Sequence, residues 1–257
     1  MSQRPLILVS NDDGIDAPGL EALAQAMEAL GEVRIVAPER QQSAVGHAIT
    51  MQHPLRAYPH RRQGRVFGTA VTGTPADCVK LALAELLERP PALVVSGINH
   101  GSNTSTNVLY SGTVSAAAEG ALYGIPSIAF SLCHPDWEAD LSAARLVAEH
   151  IARKVLERGL PEGVLLNVNI PPLPFEEIRG IRITRQAQAR WIEEFDSRTD
   201  PLGRTYYWLT GTFVNFDERE DTDEAAVAAG YVSITPIHYD LTAYSVLKEL
   251  RTWPWSL

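Results

Sequence analysis

The chain has 257 residues, a formal net charge of −9, 45% hydrophobic and 21% charged side chains, a profile of ordinary globular protein long enough to bury its own core. The acidic balance argues against binding to nucleic-acid polymers, which needs lysine and arginine to displace counterions, and no stretch reaches the roughly 20 apolar residues of a membrane span. Cys78 and Cys133 lie in apolar segments with no C-x-x-C, so they read as buried side chains, and the start MSQRPLILVS has too short an apolar run for a secretory signal; a reducing, cytoplasmic location is expected.

In chain order, Leu6–Ser10 is a short apolar run ending in Asn-Asp-Asp-Gly, the pattern of a buried strand. Pro18 opens a helix that Gly31 closes, with leucine and alanine at helical spacing. Val33–Ala37 is a strand, and Pro75 starts the helix ADCVKLALAELLE. Ala92–Ser96 (strand), Thr113–Tyr123 (helix), Ile125–Leu132 (strand), Leu141–Arg158 (helix) and Val164–Ile170 (strand) continue the alternation. This pattern predicts an α/β fold, a Rossmann-like, mostly parallel sheet with helices on both faces. Ligands in such sheets sit beyond the carboxyl ends of the strands.

After Pro171 the pattern changes. Ala189–Phe213 is rich in aromatic and polar residues around Asp200-Pro201-Leu202-Gly203, a long hairpin. Its Trp191, Tyr206, Tyr207 and Trp208 need cover, from their own domain or, with slight preference, from another subunit. Tyr231–Pro236 reads as a strand and Thr242–Arg251 as a helix capped by Thr242. We expect one domain over 1–257, with a core over 1–175 and a hairpin extension with C-terminal strand and helix over 176–257.

The residues after the strands carry the chemistry. Asp12 and Asp13 adjoin each other at a strand mouth, where like charges are unfavourable unless a cation intervenes; Mg²⁺ or Mn²⁺ would suit such oxygen ligands. Taken alone, Asp-Asp-Gly is more often an acidic turn. The second strand leads into the polar loop Pro38–His47, and the strand ALVV into Ser96-Gly97-Ile98-Asn99-His100-Gly101. Ser111-Gly112-Thr113 precedes the alanine helix, serving as its N-cap and pointing N–H groups at the ligand edge, where a phosphate dianion would sit. Acidic ligands plus an anion-holding helix terminus are the minimal kit for phosphoryl transfer to water. No P-loop, dinucleotide fingerprint, G-x-S-x-G or H-E-x-x-H occurs. A phospho-receiver domain is disfavoured, since the position of its acceptor aspartate reads Ser-Gly-Ile-Asn.

With these motifs the chain resembles the SurE family of 5′/3′-nucleotidases: LVSNDDGIDAPGL at 8–20, VAPERQQSAVGHAIT at 36–50, GTPADCVKLAL at 73–83, SGINHGSNTSTNVLYSGTVSAAAEG at 96–120 and VSITPIHYDLTA at 232–243. The resemblance implies one divalent metal per subunit held by Asp12, Asp13, Ser43 and Asn99, phosphate contacts from Asn11, Gly112 and Thr113 with Ser111 beside them, and a homodimer or homotetramer in which the hairpin reaches across subunits. It implies hydrolysis of nucleoside 5′- and 3′-monophosphates, with short polyphosphate as a further substrate. Asp12, Asp13 and Asn99 form the expected catalytic set, Asp12 orienting or deprotonating water. Many members carry aspartate where this chain has Asn107, which raises the possibility of a role for His238, although a surface or interface histidine is the commoner reading. The non-enzymatic rival is a nucleotide-binding stress sensor, which the Asp12–Asp13 pair disfavours because a pure anion binder gains little from two added negative charges.

Overall fold

The computed structural model describes residues 4–256. In chain order the elements are β1 (Leu6–Ser10), α1 (Pro18–Glu28), β2 (Glu32–Pro38), β3 (Ala57–Arg62), β4 (Arg65–Val71), α2 (Pro75–Leu81), β5 (Leu93–His100), α3 (Gly112–Leu122), β6 (Ser127–Leu132), α4 (Ser142–Arg158), β7 (Val164–Ile170), β8 (Ile181–Ile183), β9 (Ala189–Thr199), β10 (Thr205–Asn215), α5 (Asp223–Ala228), β11 (Val232–His238) and α6 (Tyr244–Leu250).

The main sheet runs β3-β4-β2-β1-β5-β6-β7-β11-β8. The strands from β4 to β7 in that order are parallel, β3 is antiparallel to β4, and β11 is antiparallel to β7. Side chains alternate across each strand. In β1, Ile7 and Val9 enter the core formed with Leu20, Leu23 and Met27 of α1 and Val147 and Ile151 of α4. Leu8 points the other way, to Cys78 and Val79 of α2 and Ala116 of α3. Both faces are therefore covered by helices, the expected α/β architecture. No helix among the described residues is long and apolar enough to cross a membrane.

Local chemistry sets the helix ends. Thr74 and Asp77 form a reciprocal capping box at α2, and α4 ends at Gly159 with φ +71°. The helix expected to run on from Pro75 widens: Ala82–Leu86 is a π-helical turn, closed by Leu87 N–H donating to the Ala82 carbonyl at 3.0 Å.

Three further regions depart from the sequence reading. β3 and β4 were not anticipated, because AYPHRR has no apolar alternation and RVFGTAV breaks its own at Gly68; the two-residue Gln63-Gly64 turn, with φ +49° and +79°, was the available signal. β5 runs on to His100 instead of stopping at Ser96, since the strand is irregular between Ser96 and Asn99 and then rejoins β6 at Asn99–Ser131. α6 starts at Tyr244 behind Ala243, so Thr242 is not its cap; the Thr242 N–H donates to Asp240 Oδ1 at 2.9 Å.

The β9–β10 hairpin forms its own two-stranded ribbon. Its root is held to the domain by the Trp191 Nε1–H donating to Asn107 Oδ1 at 3.0 Å, and within the ribbon Trp191 packs against its cross-strand partner Phe213 at 5.7 Å. Further out, Phe195 is 65% and Trp208 59% exposed, so these aromatics do not fold back onto their own subunit.

One close approach fixes the position of α1. A Cβ on Gly19 would lie 2.0 Å from the Ile98 carbonyl oxygen, which is backbone and cannot swing aside. Gly19→Ala is expected to lower the unfolding free energy by about 2–3 kcal/mol, measurable by urea denaturation; an unchanged midpoint would show that α1 slides freely on β5.

Candidate functional site at the carboxyl edge of the sheet

β1 and β5 are adjacent parallel strands with Ser10 opposite Ser96, so the residues that follow them share one edge. Past β1 the chain turns sharply. Asn11 Nδ2 donates to the Gly14 carbonyl at 3.0 Å, and Gly14 sits at φ +96°, where a Cβ would come within 3.2 Å of the Gln41 nitrogen. The Gln42 N–H donates to the Asp12 carbonyl at 2.7 Å. The acidic turn and the 39–56 loop are thus packed backbone to backbone.

Asp12 is 5% exposed and lies against the start of α3. Thr113 Oγ1 donates to its Oδ1 at 2.5 Å. Gly112 makes this approach possible, because a Cβ there would be 2.7 Å from Asp12 Cβ and 3.0 Å from Oδ2. Ser111 caps the helix, its Oγ accepting from Val114 N–H at 3.1 Å. Helix geometry leaves the N–H groups of Gly112 and Thr113 without intrahelical acceptors, at the positive end of the dipole. Burial pushes the Asp12 carboxyl up to about 6; the Thr113 hydrogen bond opposes the shift and the Asp13 charge adds to it.

Asp13 is buried beside it. Gln41 Nε2 approaches Oδ1 at 3.4 Å, while Oδ2 has no hydrogen-bond partner among the described residues and lies 3.8 Å from His100 Nδ1. On β5, Gly97 at φ +125° lets the strand bend, since a Cβ would sit 2.3 Å from the Phe130 carbonyl oxygen. Asn99 Nδ2 then donates to the Gly101 carbonyl at 2.7 Å, which leaves the amide oxygen as the group on offer.

Ser43 is exposed on the 39–56 loop. That loop is tied down on either side of it. Gly46 N–H donates to the Tyr110 carbonyl at 3.0 Å, and His47 Nε2 lies 2.7 Å from Glu119 Oε1, whose other oxygen accepts from Lys80 Nζ at 2.8 Å. Burial alone would raise the Glu119 carboxyl, yet the hydrogen bonds from His47 and Lys80 hold it below its ordinary value. Asp77 accepts from the Thr50 N–H at 3.0 Å and from its hydroxyl at 2.6 Å.

The segment from Gly101 to Tyr110 is stitched to the hairpin root. Ser105, at φ +50°, donates its hydroxyl to the Ala187 and Ala189 carbonyls at 2.7 Å each and accepts from Ala189 N–H at 2.9 Å. Asp223 receives the N–H groups of Ser105 at 2.8 Å and Ala187 at 2.9 Å. Asn107 Oδ1 accepts from Trp191 Nε1 at 3.0 Å.

Of the sequence-derived residues, Asp12, Gly112 and Thr113 are in direct contact. Asp13 and Asn99 lie on the same edge, Ser111 is committed to the cap, and Asn11 braces the turn. His238 belongs elsewhere: it pairs with Val164, the first residue of β7, and so sits at the amino edge of the parallel strands, exposed and away from the site. Sequence reasoning passed over His100, Gln41 and the His47–Glu119–Lys80 cluster; adjacency of His100 to Asn99 on one strand was the only hint.

Fold and site together define an α/β protein that gathers carboxylates and a helix terminus at the carboxyl edge of a parallel sheet. The family model described as "Survival protein SurE" matches residues 7–193. The chain is 52% identical to "5'-nucleotidase SurE" of Christiangramia forsetii, over 98% of this chain and 97% of that protein, and 51% identical to "5'-nucleotidase SurE" of Syntrophobacter fumaroxidans, over 96% and 98%. A crystal structure of the SurE protein from Aquifex aeolicus is similar with a TM-score of 0.84 at 44% identity, covering 96% of this chain and 98% of that one. The chain belongs to the SurE family.

The Asp12 environment has a measurable consequence in metal-free protein. An acid whose folded-state pKa is raised from 3.8 to about 6 favours folding least above pH 6, where it is charged in both states, and the penalty disappears as pH falls toward 4. Asp12→Asn should therefore stabilise metal-free protein at pH 7.5 by about 2–3 kcal/mol, with the gain shrinking as the pH is lowered through 6. Thermal unfolding across that range checks it; a gain independent of pH would contradict the buried-charge account.

Proposed function

We propose that the chain is a divalent-metal-dependent 5′-nucleotidase, hydrolysing nucleoside monophosphates to nucleoside and phosphate. The observation that carries this reading is the seating of the Asp12 carboxylate directly against Gly112 and Thr113, which joins acidic oxygens to an anion-binding helix terminus. The name "5'-nucleotidase SurE", carried by relatives at about half identity over nearly the whole chain, supports it.

Asp12, Asp13, Asn99 and, from its loop, Ser43 would hold one Mg²⁺ or Mn²⁺. The donor set is all oxygen, and the buried, unpartnered Asp13 Oδ2 is an acceptor suited to a hard cation. Such an ion supplies Lewis-acid polarisation of the phosphoryl group and a water of lowered pKa. The Gly112 and Thr113 N–H groups hold the phosphate oxygens as charge redistributes. Thr113 Oγ1 fixes Asp12 Oδ1, so Oδ2 is left to orient the attacking water and take its proton. Asn11 acts one step back, keeping the turn closed, and Ser111 keeps the helix terminus capped. Asn107 has its acceptor occupied by Trp191 and serves neither as acid nor base.

The same site would accept 3′-monophosphates and short polyphosphate. The exposed aromatics of the hairpin support a homodimer or homotetramer, with the hairpin lying across a second subunit, and the location is taken as cytoplasmic. Trp208→Glu should then shift the protein to a smaller species in sedimentation; an unchanged distribution would remove the hairpin from the interface.

The direct test is phosphate release from AMP and GMP by metal-stripped protein, with Mg²⁺ or Mn²⁺ restored. Release should return with metal and fall at least about 100-fold in Asp12→Asn. Tight nucleotide and metal binding with no release would make the chain a nucleotide sensor instead.

A further inference from the structure

We propose that His100 is a positioning residue that fixes the outer oxygen of Asp13 by presenting its Nδ1–H to Oδ2. The inference deepens the metal-site reading above and rests on Asp13 being a ligand.

His100 closes β5, immediately after Asn99, and its side chain is 3% exposed. Neither ring nitrogen has a hydrogen-bond partner among the described residues. A neutral imidazole always carries one N–H, so burial without an acceptor is unfavourable. Asp13 Oδ2 is likewise buried and unpartnered. The two unmet groups, one able to donate and one that only accepts, face each other at 3.8 Å, roughly 1 Å beyond hydrogen-bond length.

Among the described residues no other protein group competes for the pairing, and a carboxylate oxygen has a lone pair for the ion beside one for an N–H. Gln41 Nε2 approaches the other oxygen, Oδ1. The ring itself is held in plane by Trp137, from the loop after β6, stacked at 5.1 Å and 28°. The carboxylate is therefore bracketed, Gln41 on one oxygen and His100 on the other. Outer-sphere donors of this kind set the orientation of a ligand carboxylate.

Manganese calorimetry on metal-stripped, full-length protein tests this without turnover. His100→Phe keeps a ring against Trp137 and removes the donor; His100→Asn restores an N–H near the position of Nδ1. Mn²⁺ binding is expected to weaken about 10-fold or more in His100→Phe and to stay within about threefold of wild type in His100→Asn. Wild-type affinity in His100→Phe, or equal losses in both variants, would overturn the proposal, the second by reducing His100 to packing. The tautomer gives an independent reading that needs no folded Phe variant: long-range ¹H–¹⁵N spectra of the Mg²⁺-loaded wild type should show Nδ1 protonated, with the signal assigned by its loss in His100→Asn. An Nε2–H tautomer would overturn the proposal and leave Nδ1 free to be a direct ligand. Wild-type affinity in Asp13→Asn would instead overturn the underlying metal-site reading, and so separates that failure from a failure of His100.

Discussion

Two carboxylates buried side by side at the end of a strand repel each other and lose their hydration, and much of the molecule is arranged around that unfavourable pair. Asp12 is met by the hydroxyl of Thr113 and the open end of α3. Asp13 is left with an oxygen that has no hydrogen-bond partner among the described residues, with His100 standing off at 3.8 Å. A fold that only had to be stable would have placed an apolar or amide residue here. The stability forgone is the clearest physical sign that this edge of the sheet is built to receive something charged.

The surrounding structure keeps that edge from relaxing. The 39–56 loop is exposed over most of its length, yet it is fastened at Gln42, Gly46, His47 and Thr50 to four different parts of the core. The His47 attachment reaches Glu119, a buried carboxylate two turns into the same helix whose first residues face Asp12. α3 therefore serves twice: its N-terminus faces Asp12, and Glu119 further along holds the loop that carries Ser43. Lys80 completes the arrangement by keeping Glu119 charged in a buried setting.

Much of this was legible in the residues. β1 is found over Leu6–Ser10 as read, because a buried parallel strand is an apolar run, and β7 over Val164–Ile170 as read, although the buried Asn167 and Asn169 interrupt its apolar residues. The strand-end rule then pointed to Asp12, Asp13, Asn99 and Gly112-Thr113. What was illegible depended on relations between distant segments. β3 is a polar edge strand, and β4 is placed by its pairing with β2 and with β3, not by its own pattern. The significance of His100 comes from Asp13 on the neighbouring strand. His238 could be placed only once β11 was known to run antiparallel to β7, which carries its far end to the opposite edge from the site.

The stitching at Ser105 has a practical consequence for anyone wishing to remove the hairpin. The hairpin looks like a detachable arm, but the residues that anchor it, Ala187 and Ala189, also satisfy the hydroxyl of Ser105 and one oxygen of Asp223 deep inside the domain. Excising the arm at its root would strand those buried groups and loosen the stretch of chain that delivers Ser111 and Gly112 to Asp12. A shortened chain made that way would lose the ribbon and the geometry around Asp12 together. Only changes toward the tip of the ribbon, beyond Trp191 and Phe213, leave the root intact.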